Sequence, residues 1–374
     1  MLTPREMKEK QERLSPYAQP SSQSRGRRFP LEPCSVRTVY ERDLGRIIYS
    51  TEFRRLRQKT QVFFNPRNDH ICTRMEHVIY VSYIATTIGR ALDLNVDLIS
   101  AIAMGHDLGH APFGHTGEAE LRECLQDYDA GFTFNHEAHS LRVVDLLAQH
   151  KSRHGLNLTF EVRDGIVSHC GEQYHEYVLV PNRDKTEEDL HIDIAKHPLP
   201  STLEGCVVRM ADKIAYVGRD IEDAVRAGIM SFEDIPDRIK TELGATNGEI
   251  INTQGTDIIR NSSGKDMIAL SDANGEAMEE LLKENTRRIY RSERINRYEI
   301  MTRNVVRGLF EAFIKAPYDP ERDPATLEQA IRDFHDYIRQ HPEPDTEHAR
   351  LVADYIAGMT DHYAQKTFES LYLF

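Results

Sequence analysis

Fourteen residues, Gly105-His106-Asp107-Leu108-Gly109-His110-Ala111-Pro112-Phe113-Gly114-His115-Thr116-Gly117-Glu118, constrain this chain more than any other stretch. They hold three histidines and two carboxylates, punctuated by four glycines and a proline. Any fold must seat those imidazole and carboxylate groups together while the backbone turns sharply. Pro112 disfavours the helical conformation at Ala111, so a helix running through His106 breaks near there. His106 and His110, four apart, share one face of whatever helix persists. The adjacent His106–Asp107 pair offers nitrogen and oxygen donors that suit Mn²⁺, Fe²⁺ or Mg²⁺. His110, His115 and Glu118 are groups that move protons beside such an ion. Lone histidines and carboxylates are ordinarily surface residues, but five in one glycine-punctuated segment point to a metal or catalytic site.

An adjacent pair cannot close a coordination shell alone. Upstream, Thr73-Arg74-Met75-Glu76-His77-Val78 opens a long apolar-periodic run. Downstream, Arg209-Met210-Ala211-Asp212-Lys213-Ile214-Ala215-Tyr216 sets an aspartate in a helical, largely apolar context. A carboxylate there needs a partner or a metal, because burying it unpaired is costly. A helix N-cap is the ordinary alternative for Asp212, but the apolar pattern runs through it from Val207. His77, His106, Asp107 and Asp212 thus make the pattern H…HD…D.

In these residues the chain resembles the HD metal-dependent phosphohydrolase superfamily. Its local wording is similar to the deoxyguanosine-triphosphate triphosphohydrolase, or dNTP triphosphohydrolase, family. The match is carried by Phe53-Arg54-Arg55-Leu56-Arg57-Gln58-Lys59-Thr60-Gln61-Val62-Phe63, Thr73–His77, the fourteen-residue stretch, and Asp212–Tyr216 with Asp220 beyond. It runs from about Glu41 to about Phe313. The resemblance implies an all-α HD-domain helical bundle with an additional C-terminal helical region. It implies that His77, His106, Asp107 and Asp212 hold a divalent ion, Mn²⁺ or Mg²⁺ first, with Fe²⁺, Ni²⁺ or Zn²⁺ as further candidates. It implies hydrolysis of dGTP or several dNTPs at the α-phosphorus, releasing a deoxynucleoside and intact triphosphate. His115 and Glu118 are then the catalytic dyad, and His110 approaches the phosphates.

A further family histidine matches His136 within Gly131-Phe132-Thr133-Phe134-Asn135-His136-Glu137-Ala138-His139-Ser140. Many members read His-Asn-x-Gln-Ser at this place, so His139 competes for the match. The resemblance assigns Gln61 to the deoxyribose 3′-hydroxyl and Arg74 and Lys213 to the triphosphate. It sets Tyr216 under the sugar and Asp220 near the 3′-hydroxyl. The plainer alternatives are a core tyrosine, an Asp220–Arg74 ion pair, and Glu118 as a helix-capping acid. A homo-oligomer, often a hexamer in the family, and an activating nucleotide at a subunit interface are further expectations. Competing readings are another HD phosphohydrolase, such as a 5′-nucleotidase or an alarmone hydrolase, and a nucleotide-binding regulator with little turnover.

Composition bounds the rest. The 374 residues are 40% hydrophobic and carry a net charge of −13. That charge disfavours indiscriminate nucleic-acid binding. A local basic pocket can still take a polyanion, because distant charge is screened over about 8 Å. Arg54, Arg55, Arg57, Lys59, Arg67 and Arg74 offer such a supply. No run approaches a membrane span. The N-terminus lacks a signal-peptide stretch, and the five scattered cysteines fit a reducing cytoplasm.

Residues 1–36 read as a flexible arm, a short charged helix followed by a Pro- and Ser-rich linker with Arg25, Arg27 and Arg28. Residues 37–230 read as the phosphohydrolase core, and residues 231–374 as a C-terminal helical region packed on it. Asn65–Asp69 reads as a loop. Helices are expected over His77–Leu92, Asp97–Leu108, Thr116–Leu125, His136–Leu147, Phe160–Cys170 and Leu203–Ala227. Asp212, Tyr216 and Asp220 would make a polar stripe on the last of these, facing a cavity. The glycine- and asparagine-rich Gly244–Gly264 stretch is expected as an exposed loop. Helices near Glu276–Ile289, Ile300–Lys315, Pro324–His341 and Glu347–Leu371 complete an all-α reading.

Overall fold

The computed structural model describes residues 14–61, 72–151, 153–169, 175–191, 198–321, 323–341 and 346–373. The apolar run after Thr73 becomes a helix because its start is doubly capped. Thr73 accepts from the Glu76 amide, and the Glu76 carboxylate accepts from the Thr73 amide at 2.8 Å. Among the described residues, fifteen helices follow one another in chain order: α1 Val39–Ile48, α2 Thr51–Arg55, α3 Arg74–Ala91, α4 Val96–Gly105 and α5 Gly114–Tyr128. Then come α6 His136–Arg142, α7 Phe160–Val167, α8 Leu203–Arg226, α9 Asp237–Leu243 and α10 Asn247–Ser262. The last five are α11 Asp272–Asn285, α12 Glu293–Ile314, α13 Gln329–Gln340, α14 His348–Ala357 and α15 Asp361–Tyr372. Two antiparallel pairs of two-residue strands, Gln149–His150 with Arg153–His154 and Val178–Leu179 with Ile268–Ala269, only staple loops. The fold is all-α.

Two hydrophobic cores organise these helices. In the first, Val78, Val81 and Ile88 of α3 pack with Leu98 and Ile102 of α4 and Val207 of α8. The second joins Leu121 and Leu125 of α5 to Val306 and Phe313 of α12, Phe334 of α13 and Val352 of α14. Such apolar side chains, fully buried, stabilise by roughly 1.5–3 kcal/mol each. The His106–Phe113 segment runs along the seam, with Leu108 in the first core and Ala111 and Phe113 in the second.

Two expectations need correction. The Gly244–Gly264 stretch is not a loop but contains α10, capped by Thr246, which accepts from the Glu249 amide. Ile250, Gln254 and Ile258 bury one face at four-residue spacing. Gly248 and Gly255 fall where an added Cβ meets nothing within 4 Å. Their helix cost is outweighed by that buried face. The Glu347–Leu371 helix is two helices, broken at Gly358–Thr360, where Thr360 caps α15.

The described part of the N-terminal arm is strapped down. Arg27 pairs with the fully buried Asp43 and donates to the carbonyl of Val39 at 2.9 Å. The Arg25 amide donates to Glu161 at 2.6 Å, and its guanidinium lies 3.6 Å over the Phe160 ring. Buried carboxylates demand cations, and the arm supplies them. The charged helix expected before Leu14, and the Asn65–Asp69 loop with Arg67, lie outside the described residues.

Candidate metal and phosphate site

Arg74 and His77 stand one turn apart on the first turns of α3 and point toward the end of α4. There His106 caps the helix, and Asp107 begins the tight turns that end it. Gly109 is required at this place, because a Cβ would lie 2.1 Å from the Ser140 amide nitrogen. α8 brings Asp212 from the opposite side. The His77 Nε2–Asp212 Oδ1 distance is 2.9 Å, His106 Nε2–Asp107 Oδ1 is 3.4 Å and His106 Nε2–Asp212 Oδ1 is 3.8 Å. An octahedral ion with bonds near 2.1 Å has ligand–ligand edges of about 3 Å, so these atoms need little movement to share one.

The fit has a second sign. His106 Nδ1 donates to the Ala103 carbonyl at 2.7 Å, which leaves Nε2 as the lone-pair nitrogen. That Nε2 is buried with no hydrogen-bond partner among the described residues. His77, His106 and Asp107 place ligand atoms within 4.8 Å of one another, and so do His106, His169 and Asp212. His169 is a residue the sequence reading missed. It follows α7, is buried, and donates Nδ1 to the Ile166 carbonyl at 2.6 Å. Its ring centroid lies 4.8 Å from that of His106. A lone histidine after an apolar helix carries no motif; only the polar Ser168-His169 ending of that helix hinted at it.

A cavity of about 410 Å³ opens from this cluster. Every sequence-assigned site residue except His106 and Glu118 lines it: Gln61, Arg74, His77, Asp107, His110, His115, His136, Asp212, Lys213, Tyr216 and Asp220. His136, rather than His139, faces the cavity. His139 turns away, with Nδ1 donating to the Gly109 carbonyl at 2.8 Å and Nε2 lying 3.3 Å from Asp354. It lines a separate cavity of about 790 Å³ behind the loop.

The hydrogen bonding around Glu118 differs from the expected His115–Glu118 dyad. Glu118 is not a capping acid: it is buried past the first turn of α5. Its carboxylate accepts from His136 Nδ1 at 2.9 Å and from Arg122 at 2.9 Å. His115 lies 3.9 Å away and its side chain is 58% exposed. The hydrogen-bonded pair is therefore Glu118–His136, because α6 delivers His136 directly above the carboxylate. His136 also stacks on His110, with ring centroids 3.8 Å apart.

Electrostatics follow from these neighbours. Burial pushes Glu118 up, but His136, His115 and Arg122 outweigh it and bring the carboxyl down to about 2. Asp212 is likewise lowered to about 2, against burial, chiefly by its bond to His77. Asp107, also buried, is held well below the carboxylate range by His106, His110 and Arg74. Burial, then the Arg74 and His136 charges, keep His110 neutral, and burial brings His169 down to about 4. Asp220 moves the other way: burial lifts it to about 7, and it accepts from the Tyr290 hydroxyl.

Arg74 does not pair with Asp220. Its Nη1 donates to Asp107 at 2.8 Å, while Nε and Nη2 are buried without a hydrogen-bond partner among the described residues. Gln61 Oε1 is in the same condition. Lys213 meets Glu176 at 3.1 Å, a carboxylate that also takes the fork of Arg209. Glu176 comes from the irregular segment before α8 and had no sequence signal.

Comparison with known proteins places these features. The HD domain family model matches residues 74–217, which contain all four H…HD…D residues, and a phosphohydrolase-associated domain matches residues 268–370. A deoxyguanosinetriphosphate triphosphohydrolase-like protein of Caldanaerobacter subterraneus subsp. tengcongensis is 40% identical, covering 96% of this chain and 92% of the relative. One from Desulfatibacillum aliphaticivorans is 37% identical, and one from Clostridium perfringens 39%, each over 96% of this chain and 94% of its own length. The chain is a phosphohydrolase of the HD superfamily and belongs to the deoxyguanosinetriphosphate triphosphohydrolase-like family.

Proposed function

We propose that this protein hydrolyses deoxynucleoside triphosphates at the α-phosphate, releasing a deoxynucleoside and triphosphate. The observation that carries the reading is the join within one cavity. The metal-type cluster of His77, His106, Asp107 and Asp212 opens onto Arg74, Lys213, Gln61, Tyr216 and Asp220. Those four residues would hold a divalent ion, Mn²⁺ or Mg²⁺ first, which when bound would acidify a water and offset phosphate charge.

The rest is done by this chain's own groups. Arg74 Nε and Nη2, which have no hydrogen-bond partner among the described residues, are donors for the phosphates, and guanidinium forks phosphate oxygens well. Lys213 joins it once phosphate competes with Glu176. The Tyr216 ring floors the sugar, so a 2′-hydroxyl has neither room nor partner there. Gln61 and Asp220 meet the 3′-hydroxyl. In the reaction, the α-phosphorus gains a bond to a water oxygen and loses its bond to O5′. The ionised Glu118 holds His136 to take a proton from the water, and His115, at the exposed mouth, hands one to O5′.

The same proposal includes a cytoplasmic location, a homo-oligomer and an activating nucleotide at its interface. Among the described residues, no helix is long and apolar enough to cross a membrane. The test is incubation with each dNTP and rNTP under Mn²⁺ or Mg²⁺. Triphosphate from dNTPs alone supports the reading. Orthophosphate release would move it to another HD phosphohydrolase, and no turnover to a nucleotide-binding regulator.

A further inference from the structure

The catalytic loop is tied to the C-terminal region by two buried charges that touch neither cavity-facing side chain nor metal-type ligand. Asp361 is 3% exposed at the first position of α15. Its Oδ1 accepts from the Phe113 amide at 2.8 Å and its Oδ2 from the Thr60 amide at 2.9 Å. A carboxylate at a helix start is ordinarily explained by the helix itself. Here Thr360 already accepts from the Tyr363 amide, and both Asp361 oxygens are spent on amides more than two hundred residues away in sequence.

Lys59, 2% exposed, completes the tie. Its ammonium donates to the His110 carbonyl at 2.5 Å and to the Ala357 carbonyl at 2.7 Å. The Lys59 carbonyl in turn accepts from the Arg74 amide at 3.0 Å. Three backbone segments, 59–61, 110–113 and 357–361, thus meet at one lysine and one aspartate.

The consequence lies one residue beyond the Thr60 bond and two beyond the Phe113 bond. Thr60 precedes Gln61. Phe113 precedes Gly114 and His115, and holds a left-handed φ of 64° that a non-glycine residue rarely adopts. Gly114 also has a φ of 64°, and a Cβ there would lie 3.1 Å from the Gln61 carbonyl. The two backbones touch at that point, and the Asp361 carboxylate spans them.

We propose that Asp361 and Lys59 are positioning residues that fix Gln61 and His115 relative to each other across the cavity mouth. The C-terminal region thereby takes part in the active-site geometry. The roles of Gln61 and His115 rest on the function proposed above. The tie itself does not.

Asp361→Asn separates the two. The Phe113 amide and the Thr60 amide and hydroxyl all donate to Asp361, so an amide of the same shape, with one acceptor oxygen, cannot satisfy both ends of the tie. In substrate-free protein, hydrogen exchange at the Thr60–Gln61 and Phe113–His115 amides should rise about tenfold or more, with α3 and α4 unchanged. Triphosphate release from dGTP should fall about 10- to 100-fold, the scale of a small misplacement. In a His115→Ala background the same change should cost far less, because the loss is transmitted through His115. Lys59→Met should reproduce the exchange pattern at 110–113 should the asparagine variant fold poorly. Unchanged exchange in either variant, exchange that rises throughout the protein, or equal fold-losses in both backgrounds would overturn the proposal. A wild-type protein that releases no triphosphate would refute the function and leave the exchange measurement to decide the tie.

Discussion

The two ends of the cleft stand on different cores. His77, His106, Asp107 and Asp212 ride on α3, α4 and α8, whose apolar faces make the first core. His115 and Glu118 ride on α5, which packs against α12 and α14 in the second. The metal end therefore inherits the rigidity of three directly packed helices. The proton-handling end depends on the seam between the cores and on residues far along the chain. Damage to the first end should be total, and damage to the second graded and separable from metal binding.

The largest effect belongs to the first end. Asp107→Ala removes a ligand oxygen and the partner of Arg74, so metal stoichiometry and turnover should both be lost. Activity above a few per cent of wild type, roughly the level expected without a metal's role, would sink the assignment. Circular dichroism should show the helices intact; their loss would make Asp107 structural.

At the second end, Glu118→Gln and His136→Ala should each lower kcat by about 10²-fold, the usual scale for general acid–base groups. The double variant should be little worse than either single, because the two act as one hydrogen-bonded unit. Bound metal should stay stoichiometric in all three. His115→Ala combined with Glu118→Gln should instead lose clearly more than either single, since that pair meets at 3.9 Å without the short hydrogen bond that joins Glu118 to His136. Reversal of these two patterns would restore His115–Glu118 as the working dyad.

Between the two ends lies the sugar position. Tyr216→Ala should admit rNTPs, narrowing the dNTP preference by about tenfold, or 1.4 kcal/mol, while dNTP turnover falls less. Continued full rejection of rNTPs would make Tyr216 a packing residue and place the gate elsewhere.

The smallest effect is on stability. The Asp220 carboxyl is raised from 3.8 to about 7 in the fold, so protonation favours the folded state. The stability it contributes is complete below about pH 4 and is lost as pH rises through about 7. The Tm of metal-free wild type should fall between pH 5.5 and 8 by a few degrees more than that of Asp220→Asn, about the shift a 1 kcal/mol change produces. Parallel curves would show that Asp220 is not raised.

This difference between the ends also explains what could be read from the chain. The H…HD…D cluster was legible because its four residues sit inside local motifs whose chemistry is unusual in itself. The polar stripe Asp212–Tyr216–Asp220 followed from helical spacing alone. His169 was not legible, since its role comes from the ring of His106 packed beside it. The Glu118–His136 bond depends on how α6 crosses α5, and the Asp361–Phe113 bond joins positions that no local period connects. Helix α10 was missed because glycine and asparagine propensity yielded to the burial of Ile250 and Ile258.

Phosphorus NMR of the products from dGTP and Mn²⁺ tests the central claim most directly. One new set of signals is expected, that of free inorganic triphosphate, in step with deoxyguanosine release and absent with Asp107→Ala. Orthophosphate or pyrophosphate as the first product would contradict it, because cleavage would then fall at a bond other than that between the α-phosphorus and the 5′-oxygen.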